Sequence, residues 1–317
     1  MNSKPLVSVL VAVYNQTKVV EQTLDSIAAQ TYKNIEIIIS DDCSTDGTQE
    51  ILKRIASNNP AIRLFLQQKN LGITRNYNFL AAKANGKYVA LFAGDDVMFR
   101  VKIDEQVKLL EGNQDASFCH HAVEIIDYVS NESRRVISHR YESGVTTIHD
   151  VLRNLGIPGA MTIVYRRDAA KDPVFDLEIP TASDWLQMIH LTMAGRGLYI
   201  EKPLCFYRKD IEYNGKDPTR YENDFLKTIT VARASYALPG DAIDKSCDYA
   251  LARYSLGAGY RRLMRGERVI ARSLFKAARS ERKLMIMASV LGLISFFSIP
   301  RRFLSLAKQV YKTTTLR

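Results

Sequence analysis

Residues 35–48 read IEIIISDDCSTDGT, and that stretch decides the fold. Ile35–Ser40 is short and dominated by isoleucine, a β-branched residue that suits a buried strand. Two carboxylates, Asp41 and Asp42, follow it directly. Asp46-Gly47-Thr48 then opens a helix whose apolar residues Ile51, Leu52 and Ile55 fall at helical spacing. A strand that ends in acid and passes at once into a helix is the first half of a β-α-β unit.

The same alternation continues on both sides. Upstream, Leu6–Val13 is a Val-rich run bounded by Pro5 and Asn15, which predicts a buried strand. Val19, Val20, Leu24, Ile27 and Ala28 then recur as a helix does. Downstream, Ile62–Leu66 and Tyr88–Phe92 read as strands, with a helix from about Ile73 to Ala84 between them. Strands separated by helices of this length imply right-handed crossovers and a mostly parallel sheet, an α/β fold. Ligands of such sheets lie outside the carboxyl ends of the strands. The residues there are Tyr14 and Asn15, Asp41 and Asp42, and Asp95 and Asp96.

These ends exclude two nucleotide-binding arrangements. No GxGxxG follows the first strand, and the chain has no GxxxxGK[ST]. Carboxylates at strand ends bind a base or ribose by hydrogen bonds, or hold a divalent metal that in turn binds a diphosphate. Oxygen ligands of this kind suit Mg²⁺ or Mn²⁺.

The chain has 317 residues, 46% hydrophobic and 25% charged, with 16 Gly and 9 Pro. That excludes collagen-like, low-complexity and wholly disordered classes. The net charge of +10 is unevenly spread: residues 1–215 hold 24 basic and 26 acidic residues, residues 216–317 hold 20 and 8. We therefore divide the chain into a near-neutral domain, 1–215, and a basic helical region, 216–317. Cys43, Cys119, Cys205 and Cys247 lie far apart with no CxxC pair, which argues against structural zinc and a disulfide framework and fits a reducing cytoplasm. The first fifteen residues lack a secretory signal's apolar core and cleavage site. His120, His121 and His190 have no partner at ligand spacing and read as core or surface residues.

From Arg253 onward 15 basic residues face 2 acidic ones. Arg268, Arg272, Lys276, Arg279 and Lys283 recur along one helix face. Leu284–Ile299 is uncharged, and at 1.5 Å per residue its 16 residues reach about 24 Å, short of the roughly 30 Å hydrocarbon core. Phe303, Leu304, Ala307, Val310 and Tyr311 continue an apolar face opposite Arg302, Lys308 and Lys312. Segment 284–312 thus reads as a helix lying in an anionic membrane interface. A buried helix and a single membrane span are the alternatives. Few aromatics interleave with the arginines and no RRM, KH or helix-turn-helix pattern is present, so no nucleic-acid partner is expected.

Three stretches together, VSVLVAVYN (7–15), DSIAAQTYKNIEIIISDDCSTDGTQEIL (25–52) and NLGITRNYNFLAAKANGKYVALFAGDD (70–96), resemble glycosyltransferase family 2 with the GT-A fold. The likeness continues weakly through KIDEQVKLLE, IPGAMTIVYRRDA, SDWLQMIHL and LCFYRKD. It implies nucleotide-binding roles for Ala12, Tyr14, Asp42, Arg75 and Asp95. Tyr14 would pack on the base, Asp42 would accept the uracil or thymine imide N–H, and Arg75 would lie near base and diphosphate. Asp96 is implied as the ligand of Mn²⁺ or Mg²⁺, and Asp184 as the catalytic base.

The implied activity is inverting transfer of a sugar, from a nucleotide-diphosphate donor such as a UDP-sugar. The acceptor would be a lipid-linked or growing glycan in polysaccharide or O-antigen synthesis, at the cytoplasmic face of the membrane. A non-catalytic sugar-nucleotide-binding or scaffold protein of the same fold is the alternative. The sequence departs from the family pattern at three places: Ala93 stands where the metal motif begins with a carboxylate, Cys43 replaces a common glycine, and Lys209-Asp210 follow Tyr207-Arg208 where a histidine is frequent. Read alone, Asp42 and Asp46 also suit a turn and a helix cap, and Asp184 an N-cap.

Overall fold

The computed structural model of the protein describes residues 4–127, 132–137, 144–156, 159–209 and 221–296. Its first strand, β1 (Val7–Val13), is buried along its whole length. The chain then forms α1 (Val20–Ala28), β2 (Ile35–Asp41), α2 (Thr48–Ser57), β3 (Ile62–Leu66), α3 (Ile73–Ala81) and β4 (Tyr88–Ala93). These strands lie in the order β3-β2-β1-β4 and are all parallel. The pairing runs from Val7 opposite Ile35 to Val13 opposite Asp41, so β1 and β2 end level with each other. Helix α1 buries Val20, Leu24 and Ile27, which stand at i, i+4 and i+7, against the cluster of β1, β2 and β4 side chains. Gly86 makes the entry to β4 possible, since a Cβ there would meet Ser8 N, Tyr88 O and Leu6 O at 2.6–2.8 Å.

Beyond β4 the expectation of a mostly parallel sheet is corrected. There follow β5 (Val97–Met98), α4 (Lys102–Glu111), β6 (Ala116–Asp127), β7 (Ser133–Ile137), β8 (Val145–Thr146), α5 (Ile148–Asn154), β9 (Val164–Arg166), α6 (Ser183–Ala194) and β10 (Arg196–Lys209). Strand β9 is antiparallel to both β4 and β6, and β5, β7 and β8 also run antiparallel to their neighbours, giving a mixed sheet. Antiparallel strands of two to five residues carry too few positions for a readable period. Strands β6 and β10 are parallel to each other and run in the direction of β4. The carboxyl end of β10 therefore opens on the same edge as the ends of β1, β2 and β4.

His120 and His121 are fully buried in β6, as read from the sequence. Lys102 is also fully buried; burial lowers its pKa to about 8, and its Nζ donates to Gln106 Oε1 at 2.8 Å.

The chain forms two compact units, the first comprising Met1–Val151, Gly156–Lys216 and Asn223–Thr228. The second holds Leu152–Leu155, Asp217–Glu222 and Ile229–Arg317. Its helices are most of α7 (Glu222–Tyr236), then α8 (Ala242–Met264), α9 (Arg268–Ala278) and α10 (Arg282–Ile294). Their core joins Ala252, Leu256 and Leu263 of α8 to Ala271, Phe275 and Ala278 of α9 and to Leu284, Ala288 and Leu291 of α10. Asp241 caps α8 by accepting the Asp244 N–H at 2.7 Å. Among the described residues no helix is long and apolar enough to cross a membrane. Residues 297–312 of the segment read as membrane-associating lie outside the described residues.

Candidate active site

The carboxyl edge of β1 and β2 is built by side chains that close its turns. Asp41 accepts the Ser44 N–H at 2.9 Å and the Gln49 side-chain amide at 2.7 Å. Asp46 binds the N–H and hydroxyl of both Thr17 and Thr48; burial opposes its ionisation, yet these donors outweigh burial and hold the pKa at about 2. Asp46 is thus the turn residue that its type allowed, one position before the α2 N-cap Gly47.

Asp42 reaches further. Its Oδ1 accepts Leu71 N–H at 2.7 Å and its Oδ2 accepts Gly72 N–H at 3.0 Å, which ties β2 to the start of α3. A carboxylate oxygen has two acceptor positions, so each keeps capacity for a ligand N–H. Cys43 follows at φ +67°, in the left-handed region that favours glycine.

Ala12 is buried, and its carbonyl accepts Gly94 N–H at 2.9 Å, locking the end of β1 to the end of β4. Tyr14, just beyond, is 48% exposed on this edge. Arg75 is exposed in the first turn of α3, with no hydrogen bond or ion pair among the described residues.

Asp95 and Asp96 follow β4. Asp96 is buried, and its Oδ1 accepts the backbone N–H of Arg208 at 3.0 Å. Arg208, also buried, sits near the carboxyl end of β10, and its guanidinium donates to Gln22 Oε1 of α1. Burial pushes the Asp95 pKa above the usual carboxylate range, against its own N–H, the nearby Arg208 charge and Gln16. Arg208 is the residue of this site that sequence reasoning passed over. Its only signal was its place in the YR pair at the end of a strand.

Asp184 lies in the first turn of α6, where its Oδ1 accepts the Trp185 N–H at 3.0 Å. It is not the N-cap, a position held by Ala182. The approach to α6 is held instead by buried Asp224, whose Oδ2 accepts the Thr181 and Ala182 N–H groups at 2.9 and 3.0 Å. Burial raises the Asp184 pKa, and backbone hydrogen bonds lower it only in part. Such a carboxylate is a stronger base than an exposed one.

Tyr77 of α3 ties these groups together. Its hydroxyl donates to Phe92 O at 2.8 Å. Burial raises its pKa, and Asp96, Asp95 and Asp184 all add to the rise. Three carboxylates, two from the turn after β4 and one from α6, therefore stand within electrostatic reach of one hydroxyl. A separate cavity of about 350 Å³, lined among others by Pro173, Leu177, Gln187 and His190, contains none of the residues predicted from sequence.

Among the described residues no group of three His, Cys, Asp or Glu side chains is placed to enclose a metal. With alanine at position 93, the motif offers two carboxylates. That donor set fits Mg²⁺ or Mn²⁺ held by one or two protein carboxylates and completed by phosphate oxygens and water.

The sequence profile described as "Glycosyl transferase family 2" matches residues 8–172. The Bacillus subtilis protein named as a teichuronic acid biosynthesis glycosyltransferase, TuaG, is 32% identical over 168 residues, covering 53% of this chain and 64% of TuaG. The chain spans about half the length of several curated relatives that it matches. Among solved structures, S. aureus TarS in complex with UDP has a TM-score of 0.64 at 18% identity and covers 92% of this chain and 88% of its own. The mannosyltransferase PcManGT from Pyrobaculum calidifontis, in complex with GDP-Man and Mn²⁺, has a TM-score of 0.63 at 17% identity, covering 99% and 86%. At these identities the likeness shows the fold, an α/β architecture with a mixed sheet similar to that of GT-A glycosyltransferases.

Proposed function

The chain belongs to glycosyl transferase family 2, and from that premise we propose that it transfers a sugar from a nucleotide-diphosphate donor to a glycan acceptor during polysaccharide synthesis. The observation that carries this reading is the acidic carboxyl edge of the sheet, where Asp42 follows β2, Asp95 and Asp96 follow β4, and Asp96 Oδ1 accepts the Arg208 N–H of β10. The donor's base lies between Tyr14 and Asp42, whose carboxylate accepts an imide N–H of uracil or thymine. Arg75 and Arg208 bring positive charge to the diphosphate end. A UDP-sugar is the first donor to try. The acceptor is lipid-linked or a growing chain, of the O-antigen or a related surface-polysaccharide class; relatedness to TuaG supports the polysaccharide assignment.

In the reaction the acceptor hydroxyl attacks the anomeric carbon as the bond to the diphosphate oxygen breaks. Asp184 takes the hydroxyl proton on a carboxylate oxygen, and the nucleoside diphosphate leaves. One base and one displacement invert the anomeric configuration. Asp96, with Asp95 beside it, would hold Mn²⁺ or Mg²⁺, which when bound would supply Lewis-acid neutralisation of charge on the diphosphate. Tyr77, hydrogen-bonded to the backbone of β4 and buried, keeps the α3 side of the site dry and rigid.

Ala93, in place of the motif's first carboxylate, favours a second reading, a donor-binding protein without turnover. The two separate in one assay: release of nucleoside diphosphate from UDP-, dTDP- and GDP-sugars with Mn²⁺ and a polyprenyl-phosphate-linked acceptor. The catalytic reading predicts acceptor-dependent release from one donor. Calorimetric binding of a donor with no release on any acceptor would replace it with the binding reading.

A further inference from the structure

The apolar run that begins at Leu284 divides cleanly along α10. Leu284, Ala288 and Leu291, at i, i+4 and i+7, are buried in the core of the second unit. Ile286, Val290 and Leu293 repeat the same spacing on the opposite face and are 75%, 47% and 63% exposed. Phe296, one turn beyond Leu293, is 65% exposed, and Met285 is 45% exposed. Helix α9 extends this surface. The Arg272 guanidinium lies 4.6 Å above the Phe296 ring, and Val269, one turn before Arg272 on the same face, is 73% exposed. Isolated exposed apolar residues are ordinary, but a contiguous stripe on two adjoining helices marks an interaction surface.

The charges around the stripe identify what it meets. The Arg279 side chain lies against α10 at Gly292, where an added Cβ would stand 2.8 Å from its guanidinium. Arg272 thus borders the stripe at Phe296, and exposed Arg279, Arg282 and Lys283 stand between α9 and the start of α10. The chain from Arg253 onward carries 15 basic and 2 acidic residues. A second copy of this face would bring like charge against like charge and is disfavoured. An apolar stripe bordered by cations complements an anionic bilayer: side chains enter the acyl boundary while arginine and lysine reach the phosphates.

We propose that the outer face of α10, continued by Val269 of α9, docks the second unit onto an anionic lipid surface, lying on the bilayer and not crossing it. The thirteen residues of α10 span about 20 Å, too short to cross. This inference does not depend on the catalytic reading. It also differs from a helix immersed on all sides, because the inner stripe of α10 belongs to the protein core.

The test is flotation of the full chain with phosphatidylcholine vesicles with and without phosphatidylglycerol, for the unchanged protein and for Ile286→Glu/Leu293→Glu. Both positions are exposed, so the double variant keeps its fold, checked by thermal melting. We expect binding to the phosphatidylglycerol vesicles, at least tenfold weaker in the double variant and weakened by salt. Undiminished binding by the folded variant would overturn the proposal, as would equal binding to pure phosphatidylcholine. So would a protein that ignores both vesicles and changes from dimer to monomer on substitution.

Discussion

Asp184→Asn is expected to lower kcat for sugar transfer by about 10²–10⁴-fold, the range for loss of a positioned general base, while the melting temperature stays at or above that of the unchanged protein. The two halves of this result come from one cause. Burial raises the Asp184 pKa, and the hydrogen bonds it accepts offset that only in part. A carboxyl group whose pKa rises on folding contributes stability below its unfolded value, near 4, and loses it as pH rises through the folded value. At neutral pH the ionised side chain therefore costs stability. Asparagine removes that cost and still accepts the Trp185 N–H through its side-chain oxygen. A purely capping role predicts activity kept with the melting temperature little changed, because asparagine caps a helix about as well as aspartate does. Initial rates and thermal melts on the same preparation separate them. The acid limb of the kcat profile should also lie above the pH expected for an ordinary carboxylate.

The second large effect is at Asp96. Lewis-acid assistance is worth several kcal/mol and each tenfold in rate is about 1.4 kcal/mol, so Asp96→Asn should cost about 10²–10³-fold in turnover. The fold should survive, because asparagine Oδ1 can still accept the Arg208 N–H that Asp96 holds at 3.0 Å. Mn²⁺ binding in the presence of nucleoside diphosphate, followed by electron paramagnetic resonance, should weaken at least tenfold. Unchanged Mn²⁺ binding and turnover in the folded variant would remove Asp96 as the ligand. Asp95→Asn should be milder on metal and more costly to the donor, because Asp95 feels the charge of Arg208 and accepts a hydrogen bond from the Gln16 side chain.

The first four strands and three helices were legible because each is long enough to show its period and is bounded by turn residues. The strand-end acids followed from that alternation alone. Asp184 was legible only through family resemblance, since SDW at a helix start looks the same whether it caps or catalyses. Arg208 and Asp224 were not legible. Arg208 meets Asp96 across 112 positions and Gln22 across 186. Those meetings depend on β10 running with β6, which in turn depends on short antiparallel strands such as β9. Asp224 likewise braces α6 from 43 positions away. The apolar run at 284 misled in another way. Its composition is apolar on every side of a helix, so only packing against α8 and α9 reveals which stripe is core and which is surface.

The central claim is that this sheet edge binds a nucleotide-diphosphate donor with Asp184 facing the reacting carbon. A crystal structure of the chain with a non-hydrolysable UDP-sugar and Mn²⁺ tests it most directly. The account predicts the base between Tyr14 and Asp42, the metal on Asp96 and the diphosphate, and the Asp184 carboxylate on the face of the sugar opposite the leaving diphosphate. A nucleotide bound in the cavity beside Pro173 and His190, or bound at the edge with Asp184 turned away from the sugar, would contradict it.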